Sequence, residues 1–332
     1  MDKTPVIAVV GACGPERTAY ARELADAAGL ELFPAARLAL APDPVDEASA
    51  LAPWAEGGAV VELPDHAPPI EVIGALASPD APTSLTALVC VVDAAHLIGD
   101  LHVDAYAPAR PGHDEITSLA LLTVTQIEYA STVALVGWER LSTDDLLTVL
   151  ALVSHLAPGA RLTLHRKGGA ALVATARFGP RQTRPGWVQV LNGDFDPHMT
   201  APRVTSLHYE QLRPLHPERL ASALTRIEEG RFGTVIRSAG FCRLATRPGV
   251  TASWDHVGRM ISFAPLANDG DGDELLALGQ DLAVVGLDLD VAALTSALDV
   301  AALSDDELAE GPDAWLRFPD PFPAWELQDE AG

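Results

Sequence analysis

The stretch PVIAVVGACGPERTAY, residues 5–20, constrains the fold of this chain more than any other. Its apolar residues from 6 to 10 are typical of a buried strand, which Gly11 and Gly14 interrupt. A helix-forming stretch follows, with Thr18 near its start. A buried strand that turns through glycines into a helix is the first half of a βαβ unit. The stretch therefore predicts a parallel α/β sheet.

The turn GACGPERT resembles a phosphate-binding loop in part. A P-loop has the spelling G-x-x-x-x-G-K-[ST], because backbone N–H groups wrap the phosphates, the lysine reaches them and the hydroxyl holds magnesium. Gly11 matches the first glycine and Thr18 matches the hydroxyl. Glu16 replaces the second glycine and Arg17 replaces the lysine, while Pro15 removes one N–H donor. We predict a remnant loop from Gly11 to Thr18 whose centre is empty or blocked, with Glu16 or Pro15 in the space that phosphate would occupy.

Strand-like runs and helical patterns alternate along the first 200 residues. The strands lie at GAVVELP, LTALVCVVDA, STVALVGW and ARLTLH, and the helices lie near ERTAYARELADAAG, DEITSLALLTVTQIEYA and STDDLLTVLALVSHLA. This alternation predicts a doubly wound, mostly parallel sheet of the P-loop NTPase type. A Gly, Pro and Asp cluster at 192–203 is typical of a linker. We therefore predict an α/β domain over residues 1–199 and a smaller α+β domain over residues 200–332.

Composition excludes several classes of protein. The chain has 332 residues and 48% hydrophobic content, which argues against wholesale disorder. No apolar run approaches the ~18 residues that a membrane span needs, so we expect no membrane partner and a cytoplasmic protein. Cys13, Cys90 and Cys242 lie far apart in the sequence, which argues against a disulfide framework and a clustered metal site. We expect each cysteine to be a buried apolar residue.

Charge is distributed unevenly along the chain. The net charge is −24, yet residues 146–259 hold 15 basic and only 7 acidic residues. This segment could bind a protein or ribosomal partner, or its arginines could pair with acids of the same chain. The overall negative field disfavours direct DNA binding.

Motifs in both predicted domains resemble those of the CobW family, in the form that actinobacterial members carry. In the second domain these are LRPLHPERL, TVIRSAGFCRLATRPGV, SWDHVG, DLAVVGLDLD and WLRFPDPFPAW. In the first domain VVELPDHAPP resembles the family's E-x-x-G stretch, with Glu62 as its glutamate, and QIEYAS supplies Gln126 and Glu128. The resemblance implies a P-loop GTPase-like domain related to the UreG and HypB metal-insertion factors, then a CobW C-terminal domain, with GTP, magnesium and zinc as possible cofactors.

The sequence departs from the family pattern at four motifs. The P-loop is altered as described, and Asp65 stands where the E-x-x-G glycine should be. The guanine-reading N-K-x-D is replaced by the residues from Val136 to Glu139, which spell VGWE. The family's C-x-C-C metal motif should lie between Arg17 and Glu62, an interval without cysteine. Zinc prefers such thiolates, so the family's metal site cannot exist here.

Two hypotheses follow from these departures. In the first, the chain is a pseudo-GTPase with no catalytic and no metal-ligating residues, which acts by binding another macromolecule. The resemblance links such proteins to zinc homeostasis and to recruitment of a hibernation factor to ribosomes. In the second, the chain is a GTP-dependent zinc metallochaperone with unusual motifs, in which His66 replaces a thiolate. A small-molecule kinase is less supported, because no lid motif or catalytic base is visible. In the first hypothesis the nucleotide site is vestigial and comprises Gly11, Gly14, Arg17, Thr18 and Glu62. In the second, Arg17 and Thr18 still bind phosphate and magnesium, and Glu62 couples nucleotide to metal.

Overall fold

The structure is a computed structural model, which describes residues 3–108, 116–166, 168, 178–179, 184–269 and 277–325. The chain divides into two compact units. The first comprises Met1–Gln189 and Phe195–Ala201, and the second comprises Val190–Asp194 and Pro202–Gly332. Within the described residues, none of the helices has the length and apolar character that crossing a membrane requires.

A six-stranded parallel sheet forms the centre of the first unit, as the sequence predicts. Its strands are β1 (Thr4–Val10), β2 (Glu31–Phe33), β3 (Ala59–Glu62), β4 (Thr83–Asp93), β7 (Thr132–Val136) and β8 (Arg161–Leu164). They lie in the order β2-β3-β1-β4-β7-β8. β1 lies between β3 and β4, so its carboxyl end and the loop after it are at the middle of the sheet. In open parallel sheets, this edge is where ligands bind.

The helices of the first unit connect these strands. They are α1 (Gly14–Ala28), α2 (Ala35–Leu38), α3 (Pro44–Leu51), α4 (Pro69–Ala77), α5 (Leu97–Asp100), α6 (Leu119–Glu128) and α7 (Thr143–Leu156). The sequence analysis predicted α1, α6 and α7 but missed the four others, which are short. It also placed the start of α6 too early, because Ile116–Ser118 is a strand, β6, that pairs with β5 (Tyr106–Pro108). Ser118 then begins the helix, since its hydroxyl accepts from the Leu121 N–H.

α1 packs on one face of the sheet through apolar side chains. This core comprises Ile7, Val9, Tyr20, Ala21, Leu24, Ala25, Val60, Ala87, Val89, Val91, Ala134 and Val136. The alternate residues of β1 are also buried, which is expected of a parallel sheet covered on both faces. Leu24 is fully buried and contributes about 1.5–3 kcal/mol to the stability of the folded unit. This packing fixes the direction in which α1 leaves the loop after β1.

The second unit contains a five-stranded antiparallel sheet. Its strands are β9 (Val204–Gln211), β10 (Thr234–Cys242), β11 (Val250–Val257), β12 (Met260–Asn268) and β13 (Gln280–Leu287), in the order β12-β11-β10-β13-β9. A short helix, α8 (Gly186–Leu191), precedes the linker, and the helices that follow it are α9 (Pro217–Glu228), α10 (Val291–Ala301), α11 (Asp305–Glu310) and α12 (Pro312–Trp315). The α+β class predicted for this part of the chain is confirmed.

The sequence motifs of the second unit contribute to its core and its C-terminal segment. Trp254 is buried, donates from Nε1 to the Ser238 hydroxyl at 2.8 Å and packs edge-on against Phe263. Phe322 and Trp325 of the C-terminal segment, residues 316–325, pack against this core. Trp325 donates to the Phe263 carbonyl at 3.0 Å, and its ring lies 4.2 Å from the Arg247 guanidinium. These motif residues therefore stabilise the unit through packing and hydrogen bonds.

Candidate functional site

The loop after β1 is shorter than the sequence motif suggests. β1 ends at Val10 and α1 begins at Gly14, so three residues separate strand and helix. Glu16, at the second-glycine position, already lies in the first helical turn. Gly11 has a positive φ of 142°, and a Cβ there would collide with the Val91 carbonyl of β4. The first glycine of the motif is therefore explained by close packing of the loop against β4.

Few backbone N–H groups of this loop are available to wrap a phosphate. Pro15 has none, the Gly14 N–H donates to the Ala12 carbonyl at 3.1 Å, and the Arg17 N–H donates to the Cys13 carbonyl at 2.8 Å. Three of the four positions from Gly14 to Arg17 thus have no N–H to offer. A phosphate cradle depends on several such donors pointing into one concavity.

The Arg17 side chain turns inward against the loop. The residue is 6% exposed, its Nη1 donates to the Gly11 carbonyl, and its Nε donates to Glu62 Oε1 at 3.2 Å. Pro15 is exposed and Glu16 is partly exposed. The prediction that Pro15 or Glu16 occupies the phosphate space stays a prediction, and the structure adds that the Arg17 guanidinium lies beside the loop carbonyl. The reason is charge: a buried carboxylate within reach attracts the guanidinium inward.

Glu62 is the acceptor on which the remaining site residues converge. It is 1% exposed at the end of β3, and Oε1 also accepts from the Thr18 hydroxyl at 2.6 Å. Its other oxygen accepts from the Ala35 N–H at the start of α2, at 3.2 Å. The structure thus brings Gly11, Arg17, Thr18 and Glu62 together, with Gly14 at the helix start. Ala35 was missed, because α2 has no sequence signal of its own.

These contacts leave the loop's functional groups bonded to one another. In a P-loop the cation reaches phosphate and the hydroxyl holds magnesium, but here both groups donate to Glu62. Each charge-assisted hydrogen bond contributes about 1.5–3 kcal/mol, and a nucleotide would have to replace both. The residues present therefore do not fit a magnesium nucleotide in this arrangement.

The segment that aligns with the guanine-reading motif has a fixed geometry of its own. Gly137 has φ of 66°, and a Cβ there would lie 2.8 Å from Asp93 Oδ1. Asp93, at the end of β4, accepts from the Ala95 N–H at 3.0 Å and contacts His96 Nδ1 at 2.9 Å. A lysine at this position would strain the backbone and crowd Asp93. The acid in CVVDA could have drawn attention to this site, which the sequence analysis missed.

Gln126 holds the loop that follows Glu62. It is fully buried on α6, and its Nε2 donates to the carbonyls of Asp65 and Ala67 at 3.0 and 3.2 Å. His66, in the same loop, contacts Asp65 Oδ1 through Nδ1 at 3.2 Å. The Gln126 match to the family pattern is thus explained by its support of this loop.

No zinc site of the predicted kind is formed by the part of the chain that the structure describes. Within it, no group of three or more His, Cys, Asp and Glu side chains could hold a metal ion. Burial raises the pKa of the Cys13 thiol to about 11 and that of Cys242 to about 12, and it raises the pKa of Cys90 further. Thiols that stay protonated are poor zinc ligands, because the thiolate is the form that binds.

The arginines of the second unit pair with acids of the same unit. Eight of the nine arginines between residues 203 and 259 have a carboxylate partner. The pairs are Arg203–Asp288, Arg213–Asp305, Arg219–Glu307, Arg231–Glu229, Arg237–Asp255, Arg243–Asp269, Arg247–Asp320 and Arg259–Glu228. In the first unit Arg166 lies 3.4 Å from Glu139. Lys167, Arg177 and Arg181 lie outside the described residues.

The fold and the loop geometry define a class: a P-loop-like α/β domain followed by a smaller antiparallel α+β domain. Residues 204–302 match the model of the "Cobalamin synthesis protein cobW C-terminal domain". This match and the curated relative below confirm the resemblance to the CobW family seen in the motifs of the chain.

A curated relative is "Zinc-regulated GTPase metalloprotein activator 1" of Dictyostelium discoideum, which is 26% identical over 233 residues. The match covers 62% of this chain and 48% of that protein, so the chain spans about half the length of the curated relative it matches. Among solved structures, the Zn(II)-bound YjiA GTPase from E. coli aligns with 91% of this chain and all of its own, at 12% identity and a TM-score of 0.38. A triple mutant of the same GTPase gives a TM-score of 0.37.

Proposed function

We propose that this chain is a pseudo-GTPase of the CobW family that acts in zinc homeostasis as an adaptor for another macromolecule. The observation that carries the proposal is the inward hydrogen bonding of Arg17 and Thr18 to Glu62. The altered guanine-reading segment at Gly137 supports it independently. A zinc connection rests on the name of the curated relative.

Calorimetric titration of the purified chain with GTP and with ATP, each with magnesium and with or without zinc, tests the first part of the proposal. We expect no heat of binding with either nucleotide. Micromolar affinity for GTP and none for ATP would overturn the pseudo-GTPase reading.

A double variant sharpens this titration. Glu16→Gly with Arg17→Lys restores the spelling G-x-x-x-x-G-K-T and removes the guanidinium from Glu62. We expect this variant to gain at least about tenfold in affinity for magnesium GTP, which corresponds to ~1.4 kcal/mol. Asp26→Gly with Arg22→Lys makes corresponding acid-to-glycine and arginine-to-lysine changes at exposed positions of α1 and should gain no affinity. Equal gains in GTP affinity in both double variants would mean that the gain does not come from the loop.

For the adaptor role, we propose a protein or ribosomal partner, with hibernation-factor recruitment as the specific case. Eight of the nine arginines between residues 203 and 259 pair with acids, and Arg166 pairs with Glu139, so we take the basic part of residues 146–202 as the candidate surface, with the exposed Arg161 as its test position. Cosedimentation of the purified chain with ribosomes tests this, and Arg161→Glu should lower the bound fraction several-fold. Unchanged cosedimentation of that variant would contradict the surface, and no cosedimentation would contradict the partner.

A GTP-dependent zinc metallochaperone is the second candidate, because the curated relative is named a zinc-regulated GTPase. Within the structure, His66 is its best support: Nε2 is buried without a hydrogen-bond partner among the described residues. The titration with added zinc decides between the two candidates. Zinc binding that is lost in His66→Ala would favour the metallochaperone.

A further inference from the structure

The C-terminal segment of the second unit, residues 316–325, contains neither a helix nor a strand. From residue 318 to 323 its side chains alternate between partly buried and exposed. The partly buried ones are Phe318, Asp320 and Phe322, and the exposed ones are Pro319, Pro321 and Pro323. Proline fixes its own φ and has no N–H, which favours an extended, polyproline-like chain. Among the described residues, 319–325 form no backbone-to-backbone hydrogen bonds, so side chains hold the segment in place.

Aromatic contacts hold the segment at both of its ends. Near its start, the Phe318 ring stacks on the His216 ring, with centroids 4.4 Å apart and planes at 28°. At its end, the Arg247 guanidinium lies over the Trp325 ring, and Trp325 Nε1 donates to the Phe263 carbonyl at 3.0 Å. Both ends of the segment therefore rest on side chains that come from earlier in the same unit.

Arg247 is the main polar anchor of the segment. Its Nε donates to Asp320 Oδ2 at 3.1 Å, and its Nη2 donates to the carbonyls of Phe322 and Pro323 at 3.2 and 2.8 Å. The Asp320 carboxylate also accepts from the Thr246 hydroxyl at 2.6 Å. The bound chemistry is therefore a carboxylate that lies between aromatic residues in a proline-rich chain.

This arrangement matches one mode by which proteins recognise peptides. Proline-rich segments dock on aromatic surfaces of other proteins, because their preformed polyproline conformation loses little entropy on binding. The segment-binding surface consists of His216, Thr246, Arg247 and Phe263. All four lie within residues 204–302, which match the family domain, whereas the segment lies beyond that range. The domain therefore carries a peptide-binding surface that a later part of the same chain occupies.

The segment leaves two polar atoms of this surface unsatisfied. Arg247 Nη1 and His216 Nδ1 are buried and have no hydrogen-bond partner among the described residues. His216 as a whole is 8% exposed, so water reaches it poorly. Buried polar atoms without a partner disfavour the state that leaves them so. A ligand of the same chemistry with one more acceptor near Arg247 would therefore bind this surface better than the segment does.

We propose that the segment-binding surface docks a proline-rich segment of a partner protein, in which a carboxylate lies between aromatic residues, and that residues 318–325 compete with it from within the chain. A short tether gives the competing segment a local concentration on the order of millimolar. The partner must displace it, so docking releases the C-terminal segment. All of these residues belong to the second unit, so the inference does not depend on whether a nucleotide binds.

A synthetic peptide with the sequence of residues 316–325, LRFPDPFPAW, tests the surface in trans. Fluorescence anisotropy of the labelled peptide measures its affinity for the full chain and for the full-length double variant Phe322→Ala with Trp325→Ala. The variant weakens the internal competitor, so we expect it to bind the peptide at least about tenfold more tightly. Leu316→Ala with Val300→Ala, at exposed positions of the same unit, should give no gain. No binding to the double variant, or equal affinity of all three chains, would overturn the proposal.

Changes in the peptide and in the surface locate the contact. The same peptide with Asp320→Asn should bind the double variant about tenfold more weakly, because Arg247 loses its charged partner. Adding Arg247→Ala to the double variant should abolish binding, and Thr246→Val, a smaller change, should weaken it several-fold. Arg259→Ala, at an exposed arginine of the same unit, should not. Peptide affinity that survives both Arg247→Ala and Thr246→Val would show that the peptide binds elsewhere.

The Trp325 indole N–H reports on competition in the unmodified chain, because it is hydrogen-bonded to the Phe263 carbonyl only while the segment is in place. In isotope-labelled protein, excess unlabelled peptide should move this NMR resonance to the position of a free tryptophan. Peptide binding that leaves the resonance unmoved would contradict displacement. Dimerisation of the unmodified chain that is lost in Phe322→Ala with Trp325→Ala would assign the surface to a second copy of this chain, and would overturn the partner protein as its occupant.

Discussion

Two buried arginines, one in each unit, make similar contacts but have different structural roles. Arg17 is 6% exposed and bonds Glu62 and the Gly11 carbonyl; Arg237 is 2% exposed and bonds Asp255 at 2.9 Å and the carbonyls of Ser238 and His256. Arg237 lies within a sheet, where its contacts join neighbouring strands. Arg17 stands at the position of the P-loop lysine that reaches phosphate, so its pairing with Glu62 engages the group that a P-loop uses to bind phosphate. Position in the fold, rather than the type of contact, separates these roles.

The largest effect that distinguishes the two arginines is expected on removing their partners. Glu62→Ala leaves the Arg17 charge buried without its carboxylate, which should destabilise the first unit by about 3–5 kcal/mol. Asp255→Ala should cost the second unit about 1 kcal/mol, because Asp255 is 38% exposed and Arg237 keeps its carbonyl partners. Urea unfolding, with hydrogen exchange to assign the loss to a unit, measures both.

Equal losses in these two variants would contradict the comparison. A Glu62→Ala chain as stable as the unmodified one would mean that Arg17 reaches solvent and that the loop is open. Glu62→Gln keeps a hydrogen-bond acceptor without the charge, so its loss of stability should lie between those of Glu62→Ala and Asp255→Ala. Glu56→Ala, on an exposed acid of the first unit, should change stability by no more than about 0.5 kcal/mol.

The second effect concerns a buried base of the first unit. Burial lowers the pKa of His155 from 6.5 to about 4. Between these pH values the unfolded chain binds the proton and the folded chain does not, so stability is lost as pH falls from 6.5 to 4. The loss should be on the order of 2–3 kcal/mol. His155→Gln should flatten the pH dependence of urea unfolding over this range, whereas exposed His198→Gln should not.

A pH dependence that persists in His155→Gln would assign the proton uptake to another group. His155 also packs edge-on against Phe195, with ring centroids 5.4 Å apart. The variant will therefore lower stability at pH 8 as well. The test rests on the slope between pH 6.5 and 4 and not on the stability at one pH.

The sequence predicted the sheet better than the site, for physical reasons. Strands such as β1 and β4 are continuous apolar runs, a pattern that burial on both faces demands. α2 has four residues and little pattern, yet it supplies the Ala35 N–H to Glu62. The motif spelling located Gly11, Arg17 and Thr18, but not the direction of the Arg17 side chain. That direction depends on Glu62, which is 45 residues away and becomes a neighbour through parallel pairing of β1 with β3.

The ion pairs of the second unit are another feature that the sequence alone could not predict. The sequence left open whether the basic segment binds a partner or pairs internally. In the second unit the partners of its arginines come from as far as Asp305 and Asp320, which local sequence does not connect to them. Only the antiparallel sheet and the C-terminal segment bring these charges together.

A third, smaller effect tests the C-terminal segment of the second unit. Asp320 accepts from Arg247 Nε at 3.1 Å and from the Thr246 hydroxyl at 2.6 Å. Asp320→Asn removes the charge opposite Arg247 and should cost about 1–2 kcal/mol in urea unfolding, with faster hydrogen exchange in the segment. Asp313→Asn changes an exposed acid of the same region and should have little effect. If Asp320→Asn behaves like that control, the segment is not held by this pair.

The smallest expected effect is a difference in the pH range over which a titrating group of each unit loses its contribution to stability. Arg219, by hydrogen bonding first and then by its charge, holds the pKa of Glu307 at about 2, against 4.5 ordinarily, and the Ser304 cap contributes. A carboxyl whose folded pKa is lowered stabilises above pH 4.5 and loses that contribution as pH falls toward 2. The contribution of His155 to the first unit should therefore be lost below pH 6.5, and that of Glu307 to the second unit only below pH 4.5.

Glu307→Gln isolates this contribution. At pH 7 the change should cost about 1 kcal/mol, because the pair is partly exposed to solvent. At pH 2 most of this difference should be gone, since Glu307 is then about half protonated in the folded chain and nearly fully protonated in the unfolded chain. Glu310→Gln, an exposed acid at the end of α11, should show no such convergence. A constant difference between Glu307→Gln and the unmodified chain from pH 7 to 2 would mean that the Ser304 cap, and not the charge of Arg219, makes Glu307 stabilising.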